Sequence, residues 1–377
     1  MPLTVVRESD LRRVGASPGS IEIGLVNNMP DTALKATEAQ FAALLEAAAG
    51  DLPVRLRLFS LPLVPRSLRG ALHLNEAYLG LHDFWDSQLD ALIVTGTEPR
   101  APALPDEPYW PALAEVIEWA ETHTVSTVWS CLAAHAAVFH LDGIVRRPLG
   151  EKRFGVFDCV RVADHPLTGG LGARWQIPHS RWNEVDEDDL CAAGYDVLAR
   201  SPKAGVDMYV RTGRSLFVFF QGHPEYDALS LLGEYRRDLS RFLRGERETC
   251  PALPCGYFDA ETSARLEDFA ARARADRRED LLTEFPLEPA ERGAHQGSHH
   301  GWCAGATRIY ANWLAFLAAQ KALRADSPAA ALPPRRNPRR VSAQSRASFI
   351  DRRGTSDPAG PFGGSRDRRR AAPARRP

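Results

Sequence analysis

Short apolar runs alternating with helical segments constrain the first 130 residues of this chain more than any other feature. Ile21–Val26 (IEIGLV) is a short, largely apolar run stopped by Asn27-Asn28, as a buried first strand would be. Residues 37–48 then place Phe41, Leu44 and Leu45 on one helical face, with Glu38 in the first turn. Residues 54–61 (VRLRLFSL) alternate at period two, which predicts a strand near a sheet edge. Residues 92–94 are again continuously apolar and run into Thr95-Gly96-Thr97; residues 111–122 read as a helix and 127–130 as the next strand. Strand alternating with helix predicts an α/β fold whose mostly parallel central sheet is covered by helices on both faces.

After Gly155 the pattern turns β-rich, with strands predicted at 155–162, 194–199, 208–212 and Leu216–Phe220. Helices are predicted at 228–245 and 308–323, and the polar stretch 271–298 between them reads as an insertion. Residues 1–20 form an N-terminal extension and 21–324 the folded domain. From residue 325 onward the chain has 13 Arg, 4 Asp and 8 Pro, with few apolar residues to offset chain entropy, so a disordered basic tail is expected. That tail carries +9, which leaves −10 on the first 324 residues, since the whole chain carries −1. Charge alone would give the tail weak, non-specific affinity for RNA or anionic membrane. Its only aromatics are Phe349 and Phe362, so no specific nucleic-acid partner is expected.

The six cysteines are scattered, and Met1–Arg13 lacks the apolar core of a signal peptide, which together predict reduced thiols and a cytoplasmic location. Residues 124–141 contain no Asp, Glu, Lys or Arg, but two His and several Ser and Thr predict buried strand and helix rather than a membrane span. His295, His299, His300 and Cys303 cluster in a Gly/Ser-containing stretch read as a loop. No Cys-x-x-Cys pair supports a metal site there, so no metal is expected.

Two local patterns carry chemistry. In Thr127-Val128-Trp129-Ser130-Cys131-Leu132-Ala133-Ala134-His135 an apolar strand meets a cysteine, and small residues open a helix with no Gly or Pro between. Such a pivot places the thiol at a helix N-terminus, where the dipole and unpaired N–H groups favour an anion. The Leu132 amide would face an oxyanion on the attacked carbonyl. A buried, inert thiol is the bland alternative. The second pattern is the strand Leu216–Phe220 (LFVFF), which delivers Gln221-Gly222-His223-Pro224-Glu225. A strand exit of this kind puts His223 at the carboxyl edge of the sheet, where open α/β sheets bind ligands, with Glu225 close enough to orient the ring.

Further blocks stand in order along the chain. They are Asn27–Pro30 with Thr37-Glu38-Ala39-Gln40-Phe41, His73-Leu74-Asn75, Tyr109-Trp110-Pro111, Glu151-Lys152, Pro178-His179-Ser180-Arg181, Arg237-Asp238 and Asn312-Trp313-Leu314. With these blocks the chain resembles the homoserine O-acyltransferases of methionine biosynthesis, which are built on a class I glutamine amidotransferase-like, flavodoxin-like fold. The resemblance spans about residues 21–324. It implies Cys131 as nucleophile, His223 as general base and Glu225 as the carboxylate that orients it. It also implies Lys152 near the acyl group, Arg237 gripping the amino-acid carboxylate and Arg181 as a second candidate for that pocket. The oxyanion hole would join Leu132 to the Gly96-Thr97 loop. By ungapped count Ala103 takes the position that selects the acyl donor, with Glu98 and Glu107 nearby. Acyl-CoA would be a co-substrate, with no cofactor and with homoserine as acceptor. Acetyl or succinyl as donor, and serine in place of homoserine, stay open. Dimers are common in that family, so a homodimer is implied by resemblance alone. The competing reading is a glutamine amidotransferase-type cysteine hydrolase, although Ser130-Cys131-Leu132 lacks the glycines usual at its elbow.

Overall fold

The computed structural model describes residues 2–6, 19–296 and 299–326. The basic tail lies outside the described residues except for 325 and 326, which end the last helix. The strands are β1 Leu3–Val6, β2 Ile21–Val26, β3 Val54–Phe59, β4 Ala91–Val94, β5 Ser126–Ser130, β6 Arg147–Arg161, β7 Arg174–Glu184, β8 Asp196–Ser201, β9 Gly205–Thr212 and β10 Leu216–Phe220. Among the described residues they form one sheet in the order β1-β3-β2-β4-β5-β10-β9-β8-β6-β7. From β1 to β10 the neighbours are parallel; beyond β10 they are antiparallel.

The parallel strands bury both faces, and side-chain alternation divides them between two cores. Ile23, Leu56, Ile93, Val128 and Val218 face one core, where the helices Asp31–Ala49 and His299–Asp326 contribute Phe41, Leu45, Trp313 and Leu317. Phe59, Leu92, Trp129, Phe217 and Phe219 face the other, against the helices Trp110–His123 and Leu132–Asp142. The expected α/β sheet flanked by helices is therefore present. The uncharged stretch 124–141 is the buried strand β5 followed by a helix whose first two turns are buried. No helix among the described residues is long and apolar enough to cross a membrane.

Four sequence expectations change. β3 is internal, since β1 from the N-terminal extension pairs with its outer side. Its alternation reflects ion pairing rather than solvent: Arg55 and Arg57 both reach Glu22 on β2, at 3.3 and 2.7 Å. β7 was not anticipated, because Pro178 interrupts it; as the terminal strand of the sheet it tolerates a proline. Residue 271 marks no boundary. It lies inside the helix Ala260–Ala275, whose Leu266, Phe269 and Ala273 join a third apolar cluster with the helices Ser230–Leu243 and Leu287–Gln296. Finally, the supposed His-rich loop is largely helical: His295 lies in Leu287–Gln296 and Cys303 in His299–Asp326. The side chains of His299 and His300 fall outside the described residues.

Among the described residues the β6–β7 hairpin is paired with β8 through Val160 and Arg161. It folds back toward the strand ends, where the Pro178 carbonyl accepts the His223 N–H at 2.8 Å. Gly155 secures the hairpin's other flank. Its φ is +143°, and a Cβ there would stand 2.2 Å from the Cys255 carbonyl oxygen and 2.5 Å from its nitrogen. Only a residue without Cβ permits this bridge, in which Val156 N–H donates to Cys255 O and Cys255 N–H to Phe154 O. Gly155→Ala is expected to destabilise the fold by about 3 kcal/mol, from backbone strain and overpacking together. A urea midpoint equal to that of the wild type would refute this.

Candidate active site

Parallel pairing of β5 with β10 brings Ser130 opposite Phe220, so the two strands end side by side. Cys131 follows directly, and its N–H donates to the Phe220 carbonyl at 2.8 Å. Its φ of +52° and ψ of −110° are rare for a residue with a side chain. Such strain persists only where surrounding structure enforces it, and it turns the thiol outward at the start of the helix Leu132–Asp142. Leu132 N–H is one of the helix's unpaired first-turn donors. Gly96 lies against it, and a Cβ on Gly96 would come within 2.5 Å of the Leu132 Cβ. The glycine therefore lets the Thr95–Thr97 loop close over the helix start, where an oxyanion would sit.

The loop after β10 is clamped from both sides. Asp207 on β9 accepts the Gln221 N–H through its main-chain oxygen at 2.8 Å and the Gly222 N–H through Oδ1 at 3.1 Å. Gly222 has no room for a side chain: a Cβ would meet Ile177 Cγ2 at 2.4 Å and the Pro178 oxygen at 2.9 Å. His223 leaves this clamp with Nδ1 2.9 Å from Glu225 Oε1. Ser130 Oγ donates to the same oxygen at 3.3 Å. The imidazole stacks on the Tyr226 ring, centroids 4.2 Å apart and 14° from parallel. The Cys131 side chain lines the same cavity beside this ring. Burial alone would disfavour a charged imidazole. The Glu225 carboxylate and the Cys131 sulfur beside it outweigh burial and raise its pKa well above the ordinary histidine value.

These groups open into a cavity of about 280 Å³. Six cations line it (Arg146, Lys152, Arg181, Arg237, Arg241, Arg247) against four carboxylates (Glu98, Glu225, Glu234, Asp238). The site thus inverts the acidic character of the body around it. Lys152 Nζ lies 3.2 Å from both Glu234 Oε2 and Asp238 Oδ2, and 4.1 Å above the centre of the Phe154 ring. Arg237 pairs with Asp238 at 3.1 Å and with Glu234 at 3.5 Å. Glu234 also accepts from Ser180 Oγ at 2.5 Å and Tyr226 OH at 2.6 Å. Burial pushes the Glu234 carboxyl up, but Lys152 and these two hydroxyls hold it below the ordinary glutamate value.

Of the residues singled out from the sequence, Cys131, His223, Glu225, Lys152, Arg237, Leu132, Gly96 and Thr97 converge on this cavity. Arg181 lines it too, but its guanidinium is engaged elsewhere. Nη1 donates to Asn183 O at 2.8 Å, Nη2 to Ala204 O, and Nε to His179 Nδ1 at 3.4 Å. A residue so tied to main-chain carbonyls is poorly placed to grip a substrate carboxylate. Ala103 is exposed beside a 3-10 turn and does not line the cavity. Glu107 turns inward and accepts the N–H groups of Arg100 and Ala101 at 2.6 and 2.7 Å, organising that loop. Glu98 does line the cavity, paired with Arg241 at 3.1 Å. Sequence reasoning missed Glu234, whose signal was its position three residues before Arg237 on one helical face.

A strained cysteine elbow, a histidine–carboxylate pair on the adjacent strand exit and a cation-rich cavity together make up the candidate active site of this α/β fold. The homoserine O-succinyltransferase family model matches residues 12–324, and the chain belongs to that family, a family of transferases. It is 49% identical over 310 residues to the homoserine O-succinyltransferase of Bradyrhizobium japonicum, covering 81% of this chain and 93% of that one. It is also 49% identical over 300 residues to that of Rhodopseudomonas palustris, covering 80% and 89%. Identity to that of Thiothrix nivea is 42% over 296 residues, covering 78% and 81%. A solved glutamine amido transferase from Methylobacillus flagellatus is similar with a TM-score of 0.46 at 15% identity, covering 80% of this chain and 96% of that one.

Proposed function

We propose that the enzyme transfers a succinyl group from succinyl-CoA to the γ-hydroxyl of L-homoserine through an acyl-enzyme on Cys131. The Cys131 thiolate attacks the thioester carbonyl, the C–S bond to CoA breaks, and His223 returns the proton to the departing CoA sulfur. Homoserine then loses its γ-hydroxyl proton to His223 as its oxygen attacks the thioester on Cys131, and the sulfur leaves as thiolate. Glu225 fixes the tautomer of His223 and stabilises its imidazolium. The Leu132 amide and the Gly96-Thr97 loop would receive the oxyanion in both steps.

The observation that carries this reading is Cys131 beside the hydrogen-bonded His223–Glu225 pair, opening into a cavity where cations outnumber carboxylates. Both substrates carry a carboxylate at their inner ends, one on the succinyl group and one on the amino acid, and each calls for a cation. Arg237 is the candidate for the amino-acid carboxylate, since a guanidinium fork matches it bidentately. Glu234 beside it suits the ammonium, and Lys152 suits the acyl end. Succinyl is favoured over acetyl by the names of the relatives and by this surplus of positive charge.

The test gives purified protein succinyl-CoA or acetyl-CoA with homoserine or serine, and separately glutamine alone, following free CoA thiol and ammonia. CoA release beyond one equivalent per enzyme that requires homoserine and runs fastest with succinyl-CoA supports the proposal; ammonia release without CoA release refutes it. Arg237→Lys is expected to raise the homoserine KM by about 10–100-fold, with a smaller change in kcat, because a point charge replaces a bidentate fork. An unchanged homoserine KM would remove Arg237 from that role.

A further inference from the structure

Behind the His223 loop lies a row of buried polar groups that the acyl-transfer steps leave unused. Asp207 stands on β9, His179 and Arg181 on β7, and none is more than 3% exposed. Arg181 Nε donates to His179 Nδ1, so the neutral ring carries its proton on Nε2. Nε2 lies 3.4 Å from Asp207 Oδ1, the same oxygen that accepts the Gly222 N–H. The row therefore runs from β7, through β9, to the amide immediately before His223.

Two features argue that it does more than pack. His179 Nε2 and Asp207 Oδ2 are buried without a hydrogen-bond partner. Such groups are costly to leave unpaired, and folds rarely keep one without a use. Charge is also concentrated at one end. The groups facing Asp207 are His179 and Arg181 from β7, Cys159 from β6, Tyr209 on its own strand, and His223. Burial keeps Cys159 and Tyr209 neutral, and burial with Arg181 and His223 beside it keeps His179 neutral. Arg181 and His223 are thus the cations that Asp207 meets.

We propose that Asp207, backed by His179 and Arg181, is a positioning residue for the His223 imidazole. Through the Gly222 amide it fixes where the ring stands against the Cys131 sulfur, and its negative charge favours the imidazolium form of the ring. This rests on His223 being the base in the acyl-transfer reading. Burial pushes the Asp207 carboxyl up to about 7, against the pull of the Gly222 N–H, Arg181 and His223. Its charge is therefore lost as pH falls through neutrality, and its support for the His223 imidazolium weakens with it.

Asp207→Asn keeps the shape and an oxygen acceptor for Gly222 but removes the charge. The first readout is the rate at which iodoacetamide alkylates Cys131, followed by peptide mass because Cys191 and Cys255 are exposed as well. It needs no substrate. In the wild type this rate should fall as pH drops through about 7; in the variant that inflection should vanish and the rate at pH 7.5 fall about 10-fold, the effect of about one pKa unit on the pair. The second readout is kcat for acyl transfer, which should drop similarly while both KM values stay within about two-fold. A variant with the wild-type alkylation rate and pH profile overturns the proposal, as does raised KM with unchanged kcat. Should the variant not fold, a wild-type alkylation profile without an inflection between about pH 6 and 8 overturns it equally. Wild-type protein that keeps the inflection but turns over no acyl donor would refute the substrate assignment and support the positioning role.

Discussion

Cys131→Ala is expected to abolish acyl transfer, lowering kcat by at least about 10⁴-fold, because no other group can form the covalent intermediate. The fold should survive. Cys131 is only half-buried, and the main-chain bond from its N–H to Phe220 does not depend on the side chain. The strained φ of +52° remains in the variant, so stability should change little in either direction. Circular dichroism and a urea midpoint close to the wild type, beside lost turnover, are the expected pair of results. Residual turnover above about 1% of wild type would show that Cys131 is not the nucleophile.

Glu225→Gln should cost nearly as much, about 10²–10⁴-fold in kcat, with homoserine and acyl-donor KM values little changed. The amide nearly matches the carboxylate in size, so packing against Ser130 and Tyr226 is kept while two things are lost. One is the negative charge that raises the imidazole pKa; the other is an acceptor-only partner that fixes the ring's tautomer. With Glu225 neutral, the His223 pKa falls toward the value burial alone would set. The His223 imidazolium is then present over a narrower pH range, its alkaline boundary moved to lower pH. A variant with the wild-type alkaline limb would show that the carboxylate does not govern the ring.

The parts of this site legible in the sequence are those that local pattern encodes. An apolar strand running into Cys131 and small helix-opening residues reads as an elbow, with a buried inert thiol as its alternative. LFVFF followed by Gln-Gly-His-Pro-Glu states a strand and its exit. What escaped is what only tertiary burial creates. Asp207 falls just before the strand predicted at 208–212; in the fold it lies in β9 and is fully buried under the His223 loop. Arg181 reads as a cation free for substrate until the carbonyls of Asn183 and Ala204 are seen to occupy it. The Gly and Ser between His295 and His299 suggested a loop, yet Cys303 lies in a helix where Gly301, lacking a side chain, packs close to Gln176 on β7. In each case the local signal was real and a long-range contact changed its meaning.

The central claim is a covalent acyl-enzyme on one sulfur, and intact mass of the full chain mixed with succinyl-CoA in the absence of homoserine tests it most directly. An added mass of about 100 Da, mapped to the peptide containing Cys131, missing from Cys131→Ala and discharged when homoserine is supplied, is the predicted result. Turnover with no adduct on any time scale, or an adduct that homoserine leaves in place, would contradict it.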